Sequence, residues 1–232
     1  MHEAPPSPGF WGCLSDGERA ALRAQGRETA FSRGMTLCLE GDPSTHVLIL
    51  LAGWVKVLSS TADGNEIVLA LRGPGDVIGD QAANLGGYRT ATVRALVRVE
   101  ALTVVAGRFS AFLDAHPGAA RLFRRVMVER QHETDQNLRG RMETSGAQRL
   151  ARLLLDLAVR CGESTGHGVT LAVPLSQADL ASWAGVSRAT LTRALHQWRE
   201  RGIVSTRRGR MTITNVAALR RIGRVARGDG AT

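Results

Sequence analysis

The sequence predicts an α+β fold made of an antiparallel, jelly-roll-like β-roll, one long helix and a compact C-terminal module of short helices and a hairpin. Three observations lead to this prediction. Residues 34–107 alternate short β-prone runs with glycine turns, residues 119–143 favour a helix, and residues 144–232 hold the entire basic surplus of the chain. The expected domains are therefore residues 1–116, 117–143 and 144–232.

Charge is unevenly distributed along the chain. The 232 residues include 30 Lys+Arg and 21 Asp+Glu, for a formal net charge of +9, and Lys56 is the single lysine. Residues 1–143 hold 16 basic and 16 acidic side chains, whereas residues 144–232 hold 14 arginines against five acidic residues. This pattern is expected of a nucleic-acid-binding module joined to an electrically neutral one.

The first part of the chain is predicted to begin with a helix and continue as a sheet. Residues 1–33 combine a proline-rich start with a helix that Ser15 caps, because Glu18 stands three positions later as in a capping box. The β-prone runs that follow recur about every ten residues, and they cover 47–51, 55–58, 67–71 and 91–101. Glycine turns such as Asp63-Gly64 separate them, which is typical of an antiparallel barrel or sandwich.

A long helix is predicted from Ala119 to Glu143, since this stretch has no proline and no glycine before Gly140. Apolar residues form a stripe along it, namely Leu122, Phe123, Val126 and Met127, with Leu138 and Met142 as a weaker continuation. Such a stripe suggests pairing with a second copy of the chain. After Ser145-Gly146 a second helix carries leucines at helical spacing, at positions 150, 153, 154 and 157.

Residues 174–198 predict two short helices joined by a tight turn. Ser176 caps the first helix, with Asp179 in the third position of a short capping box. Gly185 ends that helix, because glycine tolerates a positive φ, and Ser187 caps the next one. The second helix has Leu191, Leu195 and Trp198 on its inward face. This arrangement is a helix-turn-helix.

The outward face of the second helix predicts contact with double-stranded DNA. Arginine makes paired hydrogen bonds to guanine in the major groove, and hydroxyls at a helix N-terminus suit phosphate oxygens. The first group of candidates is Arg188, Ala189, Thr192 and Arg193, and the second is Ser187 and Thr190. Residues 203–214 predict a hairpin that would lie along the phosphate backbone, with a basic tip formed by Arg207, Arg208 and Arg210. The module is therefore expected to be a winged helix-turn-helix.

Several other classes of protein are disfavoured. The cysteines Cys13, Cys38 and Cys161 are far apart, form no C-x-x-C pair and are too few for an iron–sulfur cluster, so no metal site or cofactor is expected. No P-loop, G-x-S-x-G or H-E-x-x-H motif supports an enzyme. The N-terminus does not resemble a signal peptide and the longest apolar run is too short to cross a bilayer. We expect a soluble, cytoplasmic protein with no membrane partner.

Over residues 34–213 the chain resembles the Crp/Fnr family of bacterial transcription regulators. Its N-terminal part is similar to the family's cyclic-nucleotide-binding β-roll at residues 40–42, 48–57, 63–66, 74–80 and 89–93. The resemblance implies that Arg89 pairs with a cyclic phosphate and that Thr90 hydrogen-bonds it, since a guanidinium matches two phosphate oxygens. It also implies a small-molecule effector such as cyclic AMP, a homodimer on a palindromic operator, and RNA polymerase as a partner.

The same resemblance assigns the remaining pocket residues and shows four departures from the family pattern. Gly79 and Asp80 belong to the pocket segment, and Thr134 on the long helix aligns with a threonine that touches the purine. Asp80 replaces a glutamate that holds the ribose, and Gln81 replaces an apolar residue. Asp135 replaces a serine that reaches over from the other subunit, and Ala189 replaces a glutamate that accepts a bond from cytosine. Either the ribose shifts toward Asp80, or the pocket takes another effector, or it takes none. An effector-blind architectural DNA binder is the alternative function.

Overall fold

A computed structural model of the chain describes residues 9–61, 63–79, 87–143, 145–207 and 210–224, and for 136–143 it describes the backbone alone. The chain forms two compact units, Met1–Thr134 and Asp135–Thr232. The division falls inside the long helix, so this helix contributes residues to both units. The boundaries predicted at 116/117 and 143/144 stay predictions.

The first unit contains two four-stranded sheets whose pairings are all antiparallel. The strands are β1 (Gly26–Phe31), β2 (Thr36–Cys38), β3 (His46–Ala52), β4 (Val55–Ser60), β5 (Glu66–Arg72), β6 (Val77–Ile78), β7 (Thr92–Ala95) and β8 (Val99–Val105). One sheet has the order β1-β8-β3-β6 and the other β2-β7-β4-β5. This confirms the predicted antiparallel roll.

Two details of the roll differ from the sequence-based expectation. Residues 26–31, placed in a helical N-terminal segment, form β1 and pair with β8 along its whole length. The run 91–101, treated as one strand, is two strands, because β7 pairs with β2 and β4 in one sheet while β8 pairs with β1 and β3 in the other. Both differences arise from pairing between distant segments, which overrides local propensity.

Helices pack against the roll through an aromatic cluster. They are α1 (Gly9–Cys13), α2 (Asp16–Gln25), α3 (Ala106–Ala115) and the long helix α4 (Pro117–Glu143). The rings of Phe10, Phe109 and Phe123 meet edge to face with centroids 5.3–6.0 Å apart, a favourable aromatic geometry. The predicted capping box at the start of α2 is present, with Ser15 and Glu18 as its members.

The apolar stripe on α4 packs inside its own unit. Phe123 and Val126 belong to the buried core of the roll, and Leu122 and Met127 pack against that core. These four side chains therefore stabilise the roll. The pairing of this helix with a second copy of the chain stays a prediction. Leu138 and Met142 lie outside the described side chains. The helix itself begins and ends close to the predicted positions.

The second unit combines four helices with a four-stranded sheet within its described residues. The helices are α5 (Gly146–Cys161), α6 (Gln177–Ala184), α7 (Arg188–Glu200) and α8 (Val216–Gly223). The strands β9 (Gly162–Thr165), β10 (Gly168–Leu171), β11 (Val204–Arg207) and β12 (Arg210–Ile213) form a sheet of order β11-β12-β10-β9. Helices α6 and α7 with the β11–β12 hairpin confirm the predicted winged helix-turn-helix; β9, β10 and α8 were not predicted.

Candidate functional site

Arg89 is a buried cation with one free hydrogen-bond donor. It precedes β7, and its backbone is held by hydrogen bonds to Gly41 and Asp42 of 2.9 and 2.8 Å. Its side chain is drawn inward, so that the residue is only 5% exposed, and Nη2 donates to the carbonyl oxygen of His46 at 2.7 Å. Nη1 is buried and has no acceptor among the described residues. An unpaired buried donor on a cation is costly unless an anion binds it.

Gly79 lets the Arg89 guanidinium lie directly against the backbone of the chain. Its φ is +80°, a left-handed conformation that favours glycine. A Cβ atom built at this position would overlap Nη1 of Arg89 and lie 3.2 Å from the His46 carbonyl oxygen. Residue 79 must therefore be a glycine for two reasons. Its backbone is left-handed, and a side chain at this position would collide with Arg89. We call the group of residues Gly79, His46 and Arg89 the arginine pocket.

Titratable side chains near the arginine pocket respond to its positive charge. Burial and, secondarily, the Arg89 guanidinium lower the pKa of His46. Burial raises the pKa of the Cys38 thiol, and Arg89 opposes that rise. Both effects of Arg89 have the sign expected of a nearby cation, which disfavours a second positive charge and favours an anion.

The other predicted pocket residues are either exposed on the surface or outside the described residues. Thr90 is exposed, next to Arg89 in the chain, and Asp80 lies outside the described residues. Thr134 is exposed on α4, and its hydroxyl donates to the carbonyl oxygen of Arg130 at 3.1 Å. Asp135 is also exposed. The structure thus brings Gly79 and Arg89 together. The binding roles of all six residues stay predictions.

Two ion pairs that were not predicted join the β5–β6 segment to α4. Arg72 Nη1 lies 3.2 Å from Glu133 Oε2. Arg130 Nη2 lies 3.2 Å from Asp76 Oδ1 and donates to the carbonyl oxygen of Val77 at 2.8 Å. The available sequence signal was Arg72, a charged residue that follows the apolar run 67–71. Because Glu133 precedes Thr134, these pairs fix the part of α4 that carries the predicted purine contact.

The helix-turn-helix has the predicted caps. The Ser176 hydroxyl accepts from the Asp179 amide, the Ser187 hydroxyl accepts from the Thr190 amide at 3.1 Å, and Gly185 between them has a φ of +60°. The inward residues Leu191, Leu195 and Trp198 are buried as predicted. The predicted DNA-reading residues of α7 that are exposed are Ser187, Arg188, Ala189, Thr192 and Arg193, whereas Thr190 is half-buried.

The β11–β12 hairpin is the wing of the winged helix-turn-helix. It carries exposed arginines, one of which has an acidic partner. Arg207 and Arg210 face each other across the β11–β12 pair, and Arg208 lies outside the described residues. Arg210 Nη2 lies 3.2 Å from Glu163 Oε2, so part of its charge is compensated. At the base of the wing, Arg199 donates to the Thr206 hydroxyl at 3.3 Å and connects α7 with β11. The role of Glu163 was not predicted, because it lies 47 residues away in the chain.

Over its described ranges, the chain shows no group of three or more His, Cys, Asp or Glu residues suited to hold a metal ion. None of the helices in those ranges combines the length and the apolar character that crossing a membrane requires.

An antiparallel roll with a buried arginine, in one chain with a winged helix-turn-helix, points to the class of DNA-binding transcription regulators. Family comparison agrees with this class. Residues 28–116 match the cyclic nucleotide-binding domain, and residues 148–222 match the Crp-like helix-turn-helix domain. The chain belongs to the Crp/Fnr family of transcription regulators, and it is a regulator rather than an enzyme.

Individual relatives show the same relationship. The chain is 31% identical over 183 residues to a CRP-like cAMP-activated global transcriptional regulator of Mycobacterium tuberculosis, a match that covers 79% of this chain and 82% of the relative. It is 28% identical to a global nitrogen regulator of Nostoc sp., covering 82% and 86%. Its fold resembles the structure of FixK2 from Bradyrhizobium japonicum, with a TM-score of 0.76, 19% identity and coverage of 87% and 98%.

Proposed function

We propose that this regulator binds a cyclic nucleotide, cyclic AMP in the first instance, in the arginine pocket and thereby controls DNA binding by α7. The observation that carries the proposal is the buried Nη1 of Arg89, which has no acceptor among the described residues and lies against the backbone of Gly79. A cyclic phosphate supplies an anionic oxygen acceptor at this point. A charge-assisted bond of this kind stabilises binding by about 1.5–3 kcal/mol.

The remaining pocket residues take roles by analogy with the family. Thr90 hydrogen-bonds the phosphate, Asp80 holds the ribose, and Thr134 and Asp135 contact the purine. The mycobacterial relative is a cAMP-activated regulator, which supports cyclic AMP as the effector. The residues that would sense the ligand are those of 1–116, α4 is the dimerisation helix, and 144–232 bind DNA.

On the DNA side, Arg188 and Arg193 read guanines in the major groove, Thr192 lies on the same face, and Ala189 contacts a thymine methyl. Phosphate oxygens are contacted from the start of α7 and from the wing, by Ser187, Thr190, Arg207, Arg208 and Arg210. A homodimer places two such helices on half-sites roughly 34 Å apart, which requires a palindromic operator. RNA polymerase is the further partner of the bound dimer in the cytoplasm.

Isothermal titration tests the effector. Cyclic AMP, cyclic GMP and cyclic di-GMP are titrated into the wild-type chain and into Arg89→Leu, with circular dichroism to compare their folding. We expect Arg89→Leu to weaken cyclic AMP binding about 10- to 100-fold. The matched control is Arg94→Leu, because Arg94 is in the same unit but pairs with Glu66 on a partly exposed face. Absence of binding by the wild type, or equal affinity in Arg89→Leu, contradicts the proposal.

DNA binding is tested with a duplex that the wild-type chain selects from a random-sequence pool. Arg188→Ala should cost about 1–3 kcal/mol on this duplex and relax the preference for one base pair, with little effect on random DNA. Arg207→Ala should weaken both DNAs equally and reduce the slope of log affinity against log salt by about one. If Arg188→Ala weakens both DNAs by the same factor, Arg188 is a phosphate contact and α7 docks in another way.

A further inference from the structure

Helix α5 is attached directly to the turn of the helix-turn-helix. Arg149, on the first turn and a half of α5, donates from Nε to the carbonyl oxygen of Ala184 and from Nη2 to that of Gly185, both at 2.9 Å. These carbonyls terminate α6, where the chain takes its left-handed turn. Carbonyls at a helix C-terminus lack partners within the helix and carry partial negative charge, so a guanidinium is a favourable cap for them.

A second contact from α5 reaches the start of α7. A Cβ atom at Gly146 would lie 2.9 Å from Cγ1 of Val186 and 3.3 Å from Cγ2 of Thr190. Gly146 therefore lets the first turn of α5 lie directly against the turn residue Val186 and the first turn of α7. Thr190 is in turn bonded through its hydroxyl to Ser187 Oγ, at 2.9 Å, so the cap of α7 is part of the same contact.

Gly146 and Arg149, which are among the first four residues of α5, thus hold both the turn before α7 and the first turn of α7. This matters for base reading because Arg193 lies five residues after the start of α7, about 7.5 Å along its axis. A tilt of about 10° at the start would displace the backbone at Arg193 by about 1.3 Å, whereas hydrogen bonds to bases tolerate only a few tenths of an ångström.

We propose that Arg149 is a positioning residue for DNA recognition, which sets the angle at which α7 presents its side chains to the bases without itself contacting DNA. This inference rests on the proposed reading of DNA by α7. It predicts that loss of the two bonds lowers sequence discrimination more than it lowers general affinity for DNA.

The chain offers a matched control on the same helix. Arg152, three residues later, also caps the end of a helix, since its Nε donates to the carbonyl oxygen of Gly223 at 2.7 Å. That helix is α8, which carries none of the predicted DNA contacts. Arg149→Met and Arg152→Met therefore remove the same type of side chain and the same type of bond, and only the first affects the helix-turn-helix.

The experiment measures binding of the full chain to the selected duplex and to random DNA over a range of salt, with and without added cyclic AMP. Thermal unfolding of each variant is recorded in parallel. For Arg149→Met we expect about a 10-fold loss of affinity for the selected duplex, a much smaller loss for random DNA and an unchanged salt slope. Arg149→Lys, which keeps one donor but not the fork, should recover part of the loss. Arg152→Met should leave discrimination unchanged.

Two results would overturn the inference. If Arg149→Met and Arg152→Met both lose equal affinity for the selected duplex and for random DNA, Arg149 contributes only to stability. If Arg149→Met reduces the slope of log affinity against log salt by about one, Arg149 is a phosphate contact. Arg188→Ala is measured in the same experiment. It distinguishes a failure of the positioning role of Arg149 from a failure of the proposed base reading by α7. If Arg188→Ala loses discrimination and Arg149→Met does not, only the positioning role is wrong. If neither variant changes discrimination, the proposed reading of DNA by α7 is wrong as well.

Discussion

Arg72 on β5 and Glu133 on α4 form an ion pair across the first unit, with their side chains only 11% and 28% exposed. Replacing one member leaves the other charge largely buried. We expect Arg72→Met to lower the free energy of unfolding by about 2 kcal/mol, less than the ~3–5 kcal/mol of a fully buried pair because Glu133 keeps some contact with water. Denaturant unfolding of Arg72→Met, Glu133→Gln and the double variant measures the coupling between them.

The control for this prediction is the pair of Arg94 and Glu66, whose side chains are 31% and 43% exposed. Arg94→Met should cost less than about 1 kcal/mol, since water screens an exposed pair. Equal costs for Arg72→Met and Arg94→Met would show that burial does not distinguish the two pairs.

Gly79→Ala should remove ligand binding, and Gly64→Ala should not. Both glycines have a left-handed φ, +80° and +75°, so alanine introduces similar backbone strain of about 1–2 kcal/mol at each. Only the alanine at 79 would collide with Arg89, because a Cβ at Gly64 has no neighbour within 4 Å. Thermal unfolding compares the strain and cyclic AMP titration compares binding. If both variants bind equally, the space beside Arg89 is not the ligand site.

The pKa of His46 should change when the positive charge of Arg89 is removed or neutralised. Since the Arg89 guanidinium helps to lower the pKa of His46, Arg89→Leu should raise that pKa toward its ordinary value, although burial still keeps it low. A bound phosphate should also raise it, by neutralising Arg89. Proton NMR titration measures both changes, with His46→Gln to assign the resonance. A pKa that stays constant in both cases would mean that Arg89 does not act on this ring.

Cys161 should make stability fall with alkaline pH. Burial raises the pKa of this thiol to about 11, so the folded state holds its proton after the unfolded state, with an ordinary pKa near 9, has lost it. Stability is therefore complete below pH 9 and declines between about pH 9 and 11, by up to about 2 kcal/mol. Denaturant unfolding over this range should show a steeper decline for the wild type than for Cys161→Ala. Parallel declines would contradict the prediction.

Features that depend on near neighbours in the chain were predictable from the sequence. The caps Ser15, Ser176 and Ser187 each bond an amide three residues away, and Gly185 is needed at one specific turn. Such signals are contained in a few consecutive residues, and the structure confirms each of them. The roll was predictable for a similar reason, because its glycine turns are short and regularly spaced.

Contacts between distant residues left no comparable signal. Arg72 and Glu133 are 61 residues apart, and Arg149 and Ala184 are 35 apart. The stripe on α4 shows the same limit, since an apolar face indicates burial but does not name the surface that covers it. In the arginine pocket, the resemblance to the family pointed to Arg89 and Gly79 separately. Their direct contact, and the unpaired donor that results from it, became visible only in the structure.

The pairing of β1 with β8 has a consequence for the order of folding during synthesis. These two strands are joined from Gly26↔Val104 to Phe31↔Val99, so roughly 70 residues separate the partners. During synthesis, β1 therefore has no β8 partner until nearly the whole roll has left the ribosome. We expect the pairing of these distant strands to be the slow step in folding of the first unit. Substitutions that weaken β8 should consequently expose nascent chains to aggregation more than equally destabilising changes in α7.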